Sequence, residues 1–241
     1  MNILWAITGA GHLLDESIGV LEKLAENNTL TIATSNAACE VLKLYGYDKN
    51  IRQLVDKNSA NMLVLDSDEK YSFPFSGKLT HHKYDVIIIA PLTANTTAKI
   101  VYGIADTLIT NIAAQSGKGQ IPLIVLPVDQ KQGLIKTIIP PYIDKKRCIN
   151  CKNCIPKDEC PQNAINPPKI DTTKCISCFM CEDKCKYDAI KLNEEIELYI
   201  RKIDAENTKK LETIENIKVV LKPSEILKEI EKIEKKIELK N

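Results

Sequence analysis

Residues 85–91 read Asp85-Val86-Ile87-Ile88-Ile89-Ala90-Pro91, and this stretch decides the class of fold. Every residue between the aspartate and the proline is apolar, which is typical of a central parallel strand covered by helices on both faces. Apolar runs at residues 3–7 and 121–127 match it, and residues 29–34 form a further predicted strand. These strands alternate with segments of helical spacing. The sequence therefore predicts an α/β fold, a doubly wound parallel sheet of the Rossmann or flavodoxin type.

The segments between these strands carry the apolar spacing of helices that bury one face. Gly46 is predicted to end the second helix, because glycine adopts the left-handed conformation that such an end requires. Residues 73–77 are predicted to form a loop and residues 62–65 a short strand. The predicted helices span residues 13–27, 36–45, 49–57, 94–101 and 104–115, and a turn is expected at 116–119.

The composition excludes several classes of protein. The chain has 241 residues, of which 44% are hydrophobic and 27% charged, as in ordinary globular proteins. A net charge of +1 and an aromatic content of 5% argue against a nucleic-acid or anionic membrane surface. No uncharged apolar run reaches about 18 residues, and residues 1–9 lack the basic leader of a signal peptide. We therefore expect a cytoplasmic protein that does not associate with membranes.

Eight of the nine cysteines fall between Cys148 and Cys185. A reducing cytoplasm disfavours disulfides, so this density indicates metal. The cysteines form two C-x-x-C-x-x-C triplets, each followed by a fourth cysteine, which is the bacterial ferredoxin signature for two 4Fe–4S clusters. In that arrangement the fourth cysteine of each half ligates the other cluster. The predicted quartets are Cys148, Cys151, Cys154 and Cys185, and Cys175, Cys178, Cys181 and Cys160.

Two details of the cysteine segment depart from the usual repeat. The spacing from Cys154 to Cys160 is two residues longer than usual, and Lys186 stands where a proline is expected after Cys185. Zinc and disulfides are the alternative interpretations, but zinc gives no reason for a third cysteine at the same step. Cys39 lies outside the segment, and we expect it to be a small buried hydrophobic residue.

The α/β pattern stops near Pro140-Pro141 and resumes after the cysteines. Strands are predicted at residues 196–203 and 217–221, and helices at 205–214 and 224–239. We therefore infer that the cysteine segment is inserted into the α/β domain. The predicted division is residues 1–140 for the first part of a flavin-binding domain, 141–192 for a ferredoxin-like module, and 193–241 for the C-terminal part of the α/β domain.

Three loops follow predicted strands and are expected to meet at the carboxyl edge of the sheet, where such sheets bind ligands. They are rich in glycine, hydroxyl and amide groups and open into helix N-termini, which suits a phosphate such as that of FMN. Helix capping is the alternative role for these residues. A dinucleotide site is disfavoured, because Leu14 replaces the third glycine of G-x-G-x-x-G and no acid ends the second strand. The candidate residues are Thr8, Gly9, Ala10, Gly11, Ser35, Asn36, Pro91, Thr93, Ala94, Asn95 and Thr96.

Two motifs in this region carry a family resemblance. Residues 90–96 read Ala90-Pro91-Leu92-Thr93-Ala94-Asn95-Thr96, and Gly103-Ile104-Ala105-Asp106 follows Lys99. In combination they resemble the signature of the FMN-binding flavoproteins, the superfamily of phosphopantothenoylcysteine decarboxylase and lantibiotic decarboxylases. Within it, the chain is most similar to the archaeoflavoproteins and the iron–sulfur flavoproteins of the dihydromethanopterin reductase (acceptor) type. The similarity covers essentially the whole chain, including residues 126–130 and 201–204.

The resemblance implies bound FMN, with Asp106 among its site residues, and two 4Fe–4S clusters. It also implies an oxidoreductase in which electrons pass from a reduced, ferredoxin-like protein donor through the clusters to FMN. The implied acceptor is a pterin, with dihydromethanopterin reduced to tetrahydromethanopterin. An electron carrier without a small-molecule substrate is the alternative, and a flavin-dependent decarboxylase is a third. A homo-oligomer, a trimer or a multiple of trimers, is expected, with residues 103–106 near a neighbouring subunit.

The sequence departs from the decarboxylases at their catalytic base. By register Gly77 stands where they carry a histidine, and His81 and His82 are close but out of register. Their Pro-x-Met-Asn motif is replaced at residues 127–130. The resemblance therefore supports the flavin site and not the decarboxylation chemistry. His12 is a candidate neighbour of the flavin, or an exposed residue at a helix start.

Overall fold

The structure, a computed structural model, describes residues 1–81 and 84–239. Its strands are β1 (Asn2–Ile7), β2 (Thr29–Thr34), β3 (Met62–Leu65), β4 (Val86–Leu92), β5 (Leu123–Pro127), β6 (Gly133–Ile138), β7 (Tyr142–Ile143), β8 (Ile165–Asn166), β9 (Lys169–Ile170), β10 (Ile190–Lys191), β11 (Glu195–Ile200) and β12 (Ile217–Val219). Its helices are α1 (Leu14–Ala25), α2 (Asn36–Leu44), α3 (Asp48–Asp56), α4 (Pro74–Gly77), α5 (Ala94–Val101), α6 (Leu108–Lys118), α7 (Ile155–Asp158), α8 (Lys202–Leu211) and α9 (Pro223–Glu238).

The main sheet has six parallel strands in the order β3-β2-β1-β4-β5-β12. This is the order of a doubly wound sheet, in which the chain builds outward from β1 in one direction and then from β4 in the other. The predicted α/β class and parallel sheet are therefore confirmed. The direction reverses between β1 and β4, where Ile3 pairs with Val86 and Ala6 with Ile89. Ligands of such sheets bind outside the carboxyl ends of the strands at this point.

Alternate residues of the central strands build two apolar layers. Ile3, Trp5 and Ile7 of β1 pack on the side of α1, α2 and α9, and Leu4 and Ala6 pack on the side of α6. Both faces of β1 and β4 are fully buried, which explains their uninterrupted apolar sequences. The Trp5 indole N–H donates to the backbone oxygen of Ala90 at 2.9 Å, so the largest side chain of this core also satisfies its polar atom.

The sheet is completed by a strand that lies beyond the cysteine segment. Strand β12 pairs with β5, so residues 128–216 leave the sheet and return to the same edge. The departing strand β6 and the returning strand β11 form an antiparallel ribbon outside the main sheet, from Gly133 opposite Ile200 to Ile138 opposite Glu195. Helix α8 then packs against α5. The ribbon brings the two ends of the cysteine segment side by side.

The cysteine segment has little regular structure. It contains the pairs β7–β10 and β8–β9 and the single helical turn α7. Ile143, Ile165 and Ala189 form its small core. Four cysteines pack against this core: Cys148, Cys160, Cys181 and Cys185.

Several sequence-based boundaries are wrong. Residues 74–77 form a helical turn instead of a loop, and the predicted turn at 116–119 begins inside α6. Helix α6 starts at Leu108 instead of residue 104, because the hydroxyls of Thr107 and Thr110 form a reciprocal capping box. The predicted strand at 196–203 ends at Ile200 and belongs to the ribbon, and β6 was not predicted because half of its side chains face solvent. Among the described residues, no helix is both long and apolar enough to cross a membrane.

Candidate functional site

The Thr8 hydroxyl joins the two loops at the point where the sheet reverses direction. It donates to the backbone oxygen of Pro91 at 2.7 Å and accepts from the backbone N–H of Thr93 at 2.9 Å. Thr8 is buried, so both hydrogen bonds are shielded from water. The loop after β1 therefore holds the loop after β4 in register. This hydroxyl, which the sequence predicts to contact a ligand, positions the candidate loops.

Two further hydroxyls cap the helices that open from these loops. The Ser35 Oγ accepts from the N–H of Ala38 at 3.1 Å, and the Thr93 Oγ1 accepts from the N–H of Thr96 at 3.3 Å. The capping interpretation is therefore correct for both residues. Caps also orient the first turns of α2 and α5, whose N–H groups favour an anion. Asn36 and Asn95 lie exposed beside these caps.

Glycine is required in the loop after β1 because neighbouring groups come very close. A Cβ on Gly9 would lie 2.6 Å from the Cβ of Ala37 and 3.1 Å from its backbone carbon. A Cβ on Gly11 would lie 2.5 Å from Cζ of Tyr45. The backbone N–H of Ser35 also donates to the oxygen of Ile7 at 3.1 Å. The predicted residues of the three loops are thus brought together at one crevice.

Asp106 belongs to a neighbouring region. Its carboxylate forms a bidentate ion pair with the Lys99 ammonium, with both N–O distances 2.8 Å, at the far end of α5 from Asn95. Asp66, which follows β3, connects this region to the crevice. Its carboxylate accepts from the Asn36 side-chain amide at 3.3 Å and from the Leu108 N–H at 2.8 Å.

Asp129 is a crevice residue that sequence reasoning missed. It follows β5, and its carboxylate interacts with the backbone N–H of Ala94, the first residue of α5. Burial raises the pKa of Asp129, and the nearby Asp204 carboxylate raises it further, whereas His12, the Ala94 N–H and Arg201 lower it. The net effect is a raised pKa, so Asp129 keeps its proton to a higher pH than an ordinary aspartate does. The sequence signal was its position at the carboxyl end of a predicted strand.

Helix α8 anchors the Asp129 loop. The Thr208 hydroxyl donates to the backbone oxygen of Asp129 at 2.7 Å. The Arg201 guanidinium donates two hydrogen bonds, of 2.7 and 2.8 Å, to the buried Asp204 carboxylate. The chain beyond the cysteine segment therefore contributes to the electrostatics of the crevice.

A cleft of about 500 Å³ lies between the crevice and the cysteine segment. Tyr45 links its walls, because its hydroxyl donates to the backbone oxygen of Ile138 at 2.8 Å while its ring lies against Gly11. The Ser177 hydroxyl, between two cysteines of the second triplet, donates to the backbone oxygen of Leu44. The walls come from the glycine loop (Gly11, His12, Leu13), the end of α2 (Leu44, Tyr45), the ribbon (Lys136, Thr137, Ile138) and the second triplet (Ser177, Phe179).

All nine cysteines lie in the described ranges and are free thiols. Burial raises the pKa of the Cys181 thiol to about 11, and charges on Cys175, Cys178 and Cys160 raise it as well. These four cysteines, the predicted second quartet, are therefore electrostatic neighbours. In residues 1–81 and 84–239 no three His, Cys, Asp or Glu side chains are arranged to hold a single metal ion. Cys39 is only partly buried and lies 3.2 Å from the Thr34 hydroxyl, so its expected role as a core residue is wrong.

The decarboxylase base has no replacement among the described residues near its expected place. Gly77 is exposed at the end of α4, and His81 is exposed beyond it. His82 lies outside the described residues. His12 lies beside the cleft, and its charge lowers the pKa of Asp129.

Comparison with known proteins agrees with this α/β crevice. Residues 1–133 match the family model described as Flavoprotein, and the chain belongs to this family. Its relatives include two proteins named dihydromethanopterin reductase (acceptor), which are oxidoreductases. The protein from Methanocaldococcus jannaschii is 43% identical, with 94% of each chain covered. The protein from Methanosarcina mazei is 37% identical, with 94% of this chain and 97% of the relative covered.

A solved structure shares the fold over nearly the full length. It is DmrB from Burkholderia xenovorans in complex with FMN, described as a cubic protein cage for redox transfer. The TM-score is 0.65 at 27% identity, with 98% of this chain and 97% of that chain covered.

We expect Gly9→Ala to damage the crevice, because the new Cβ meets Ala37 at 2.6 Å and must displace backbone. The free energy of unfolding should fall by about 1–3 kcal/mol, and flavin retention on purification should fall with it. Gly19→Ala is the matched control, since a Cβ there meets nothing within 4 Å. That exchange should stabilise α1 by about 0.5–1 kcal/mol. Equal effects of the two exchanges, measured by urea unfolding and flavin absorbance, would contradict the close-approach explanation.

We expect Asp129→Asn to stabilise the protein increasingly as pH rises. A raised pKa in the folded state means that the folded protein binds this proton more tightly than the unfolded chain. The contribution of Asp129 to the free energy of unfolding is therefore fully present below the pKa of this group in the unfolded chain. It is lost as pH rises through the pKa of the group in the folded protein. Thermal unfolding between pH 4 and 8 measures the difference between wild type and variant, with exposed Asp56→Asn as the control for losing one negative charge. A pH-independent difference would refute the assignment.

Proposed function

We propose that this protein is an iron–sulfur flavoprotein oxidoreductase that reduces dihydromethanopterin to tetrahydromethanopterin. A reduced, ferredoxin-like protein supplies the electrons. Two donor molecules each lose one electron, and the pterin gains two electrons and two protons. The two named reductases, similar over 94% of this chain, support the reaction class and the substrate. The organisation that we propose has a flavin-binding domain at residues 1–140 and 193–241 and a ferredoxin-like module at residues 141–192.

One observation carries the proposal: the cleft shared by the glycine loop and the second cysteine triplet. Electron transfer from the clusters to the flavin requires that these two redox sites lie close together. Ser177 is hydrogen-bonded to Leu44, and Tyr45 contacts both Gly11 and the ribbon. The cysteine segment is thus held against the predicted flavin crevice within one chain.

The crevice residues fit FMN. Gly9 keeps space that a Cβ would fill, and the first turns of α2 and α5 offer N–H groups beside Asn36 and Asn95. We propose that the predicted loop residues, Thr8 among them, bind the phosphate and ring, and that Thr8 also positions the two loops. FMN bound there would accept electrons singly and release them as a pair. Asp129, whose raised pKa favours protonation, would hold a proton for the pterin.

The donor set of the cysteine segment fits two 4Fe–4S clusters. Eight thiols are free, and four of them are electrostatic neighbours in the predicted second quartet. We propose that the first cluster is held by Cys148, Cys151, Cys154 and Cys185. The second would be held by Cys175, Cys178, Cys181 and Cys160. The clusters would accept single electrons from the donor protein and pass them to the flavin.

We further propose that the protein is a cytoplasmic homo-oligomer, a trimer or a multiple of trimers. The DmrB neighbour is described as a cubic cage, which supports assembly of copies. Tyr102 and Ile104 are 61% and 48% exposed, and they lie in or beside residues 103–106. Both side chains are therefore accessible to a neighbouring subunit, as the expected contact at residues 103–106 requires.

Anaerobically purified protein, reduced with dithionite and freed of excess reductant, should reoxidise when dihydromethanopterin is added. Flavin absorbance follows the reoxidation, and chromatography should find tetrahydromethanopterin in proportion to the electrons lost. Asp129→Asn should slow this step without preventing reduction of the protein, because it removes the proton held at the crevice. Absence of pterin-dependent reoxidation in fully loaded protein would leave the electron-carrier alternative.

Pairs of cysteine substitutions test the crossed ligation. Wild type should contain about eight irons per chain, and loss of one cluster should leave about four. Cys148→Ala combined with Cys185→Ala should lose no more iron than either alone, because both serve one cluster. Cys175→Ala combined with Cys185→Ala should lose nearly all iron. Cys39→Ala is the control and should keep both clusters. The reverse pattern would indicate uncrossed quartets, and stoichiometric zinc would overturn the assignment.

A further inference from the structure

The cysteine segment is more basic than the rest of the chain. Residues 141–192 contain ten Lys and Arg against seven Asp and Glu, whereas the other residues contain 23 against 25. The near-neutral total therefore conceals a positive module on a slightly negative domain. Charge separation of this kind affects which proteins approach each part, since complementary charge raises association rates.

Four of the six lysines of the segment that lack an ion pair in the described residues flank the first triplet in sequence. Lys145, Lys146, Lys152 and Lys157 are all exposed, and none has an ion pair within the described ranges. Four other cations of the segment are paired: Arg147 with Asp144 and Asp188, Lys174 with Asp171, Lys184 with Glu159 and Lys191 with Asp188. Lys169 and Lys186, which lie outside the first triplet, also have no ion pair within the described ranges. The four lysines therefore form the cationic part of a surface that we name the first-triplet face.

The first-triplet face also has an apolar centre. Ile149 and Ile155 are 60% and 51% exposed, and each directly follows a predicted cluster ligand. The thiols of Cys151 and Cys154 are partly exposed between them. Small interfaces with a little apolar contact and surrounding charge are typical of transient redox complexes. A face of this kind would bind a redox partner and place that partner close to the first predicted cluster.

The second triplet lies partly against the cleft, although Cys178 and Met180 are exposed. Ser177 is buried against the end of α2, and Phe179 lines the cleft toward the glycine loop. The nearby Glu182 and Asp183 are exposed and have no ion pair in the part of the chain that is described. Ser177 and Phe179 therefore face the cleft, and the two unpaired acids beside this triplet would repel an acidic partner.

We propose that the first-triplet face is the docking surface for an acidic one-electron carrier protein. Electrons would enter at the quartet of Cys148, Cys151, Cys154 and Cys185 and leave toward the crevice by the second quartet. In each encounter the carrier is oxidised by one electron and this protein is reduced by one. Two encounters supply the two electrons of one pterin reduction. The inference rests on the proposed function for its clusters and donor.

The test uses the holoprotein and an acidic plant-type ferredoxin as the probe. Reduced ferredoxin is mixed with oxidised holoprotein in a stopped-flow instrument at several salt concentrations, and its reoxidation is followed without pterin. Binding of oxidised ferredoxin is measured separately by calorimetry at low salt. Lys145→Glu/Lys146→Glu/Lys152→Glu should lower the second-order rate constant about tenfold or more at low salt and weaken its salt dependence. Reduction by dithionite, which needs no docking, should be unchanged.

A second variant and a matched control make the result specific. Lys145→Gln/Lys146→Gln leaves the cysteine triplet untouched and should still lower the rate constant severalfold. Lys209→Glu/Lys218→Glu/Lys228→Glu changes net charge equally on exposed positions of the α/β domain and should have little effect. Unchanged rate and binding in both first-triplet variants would overturn the proposal, as would equal loss in the control. Pterin is absent from this docking experiment. A failure to reduce dihydromethanopterin in the separate reoxidation experiment would therefore refute the proposed substrate and leave the docking surface unaffected.

Discussion

The parallel pairing of β12 on β5 is the constraint on which the rest of the structure depends. Ile217 pairs with Leu123 and Val219 with Val125, although 89 residues separate Pro127 from Ile217. The chain leaves the sheet after β5, and it must return to the same edge for β12 to pair there. The β6–β11 ribbon meets that requirement by holding the departing and returning chains together. The cysteine segment is consequently fixed at both ends and presents one side to the carboxyl edge of the sheet.

The crevice is built by close approach and hydrogen bonding within the backbone. Thr8 is committed to Pro91 and Thr93, and Ser35 and Thr93 are committed to caps. These hydrogen bonds within the protein fix the shape of the loops. Such preorganisation lowers the entropic cost of binding a cofactor. Asp129 supplies a titratable group whose pKa depends on α8, a helix from beyond the cysteine segment.

Tyr45 couples these two parts of the molecule. Its ring excludes a side chain at Gly11, its hydroxyl bonds to Ile138 of the ribbon, and the adjacent Leu44 accepts from Ser177. Burial raises the pKa of Tyr45, which keeps the hydroxyl protonated as a donor to the ribbon. The end of α2 thus acts as a common support for the glycine loop and the second triplet. The first triplet is left to face outward, with its lysines unpaired.

The sequence by itself determined the strands of the main sheet, its parallel class and the loops that follow its strands, because apolar runs and strand–loop order follow from local chemistry. Cysteine spacing also predicted the two quartets, which await test. The start of α6 was missed for a local reason, the capping box of Thr107 and Thr110. Only the tertiary structure decided the ribbon and the two loop contacts of Thr8, since each depends on partners distant in sequence. Asp129 is the clearest case. Its carboxylate is ordinary in sequence, and its pKa is raised only because folding buries it beside Asp204.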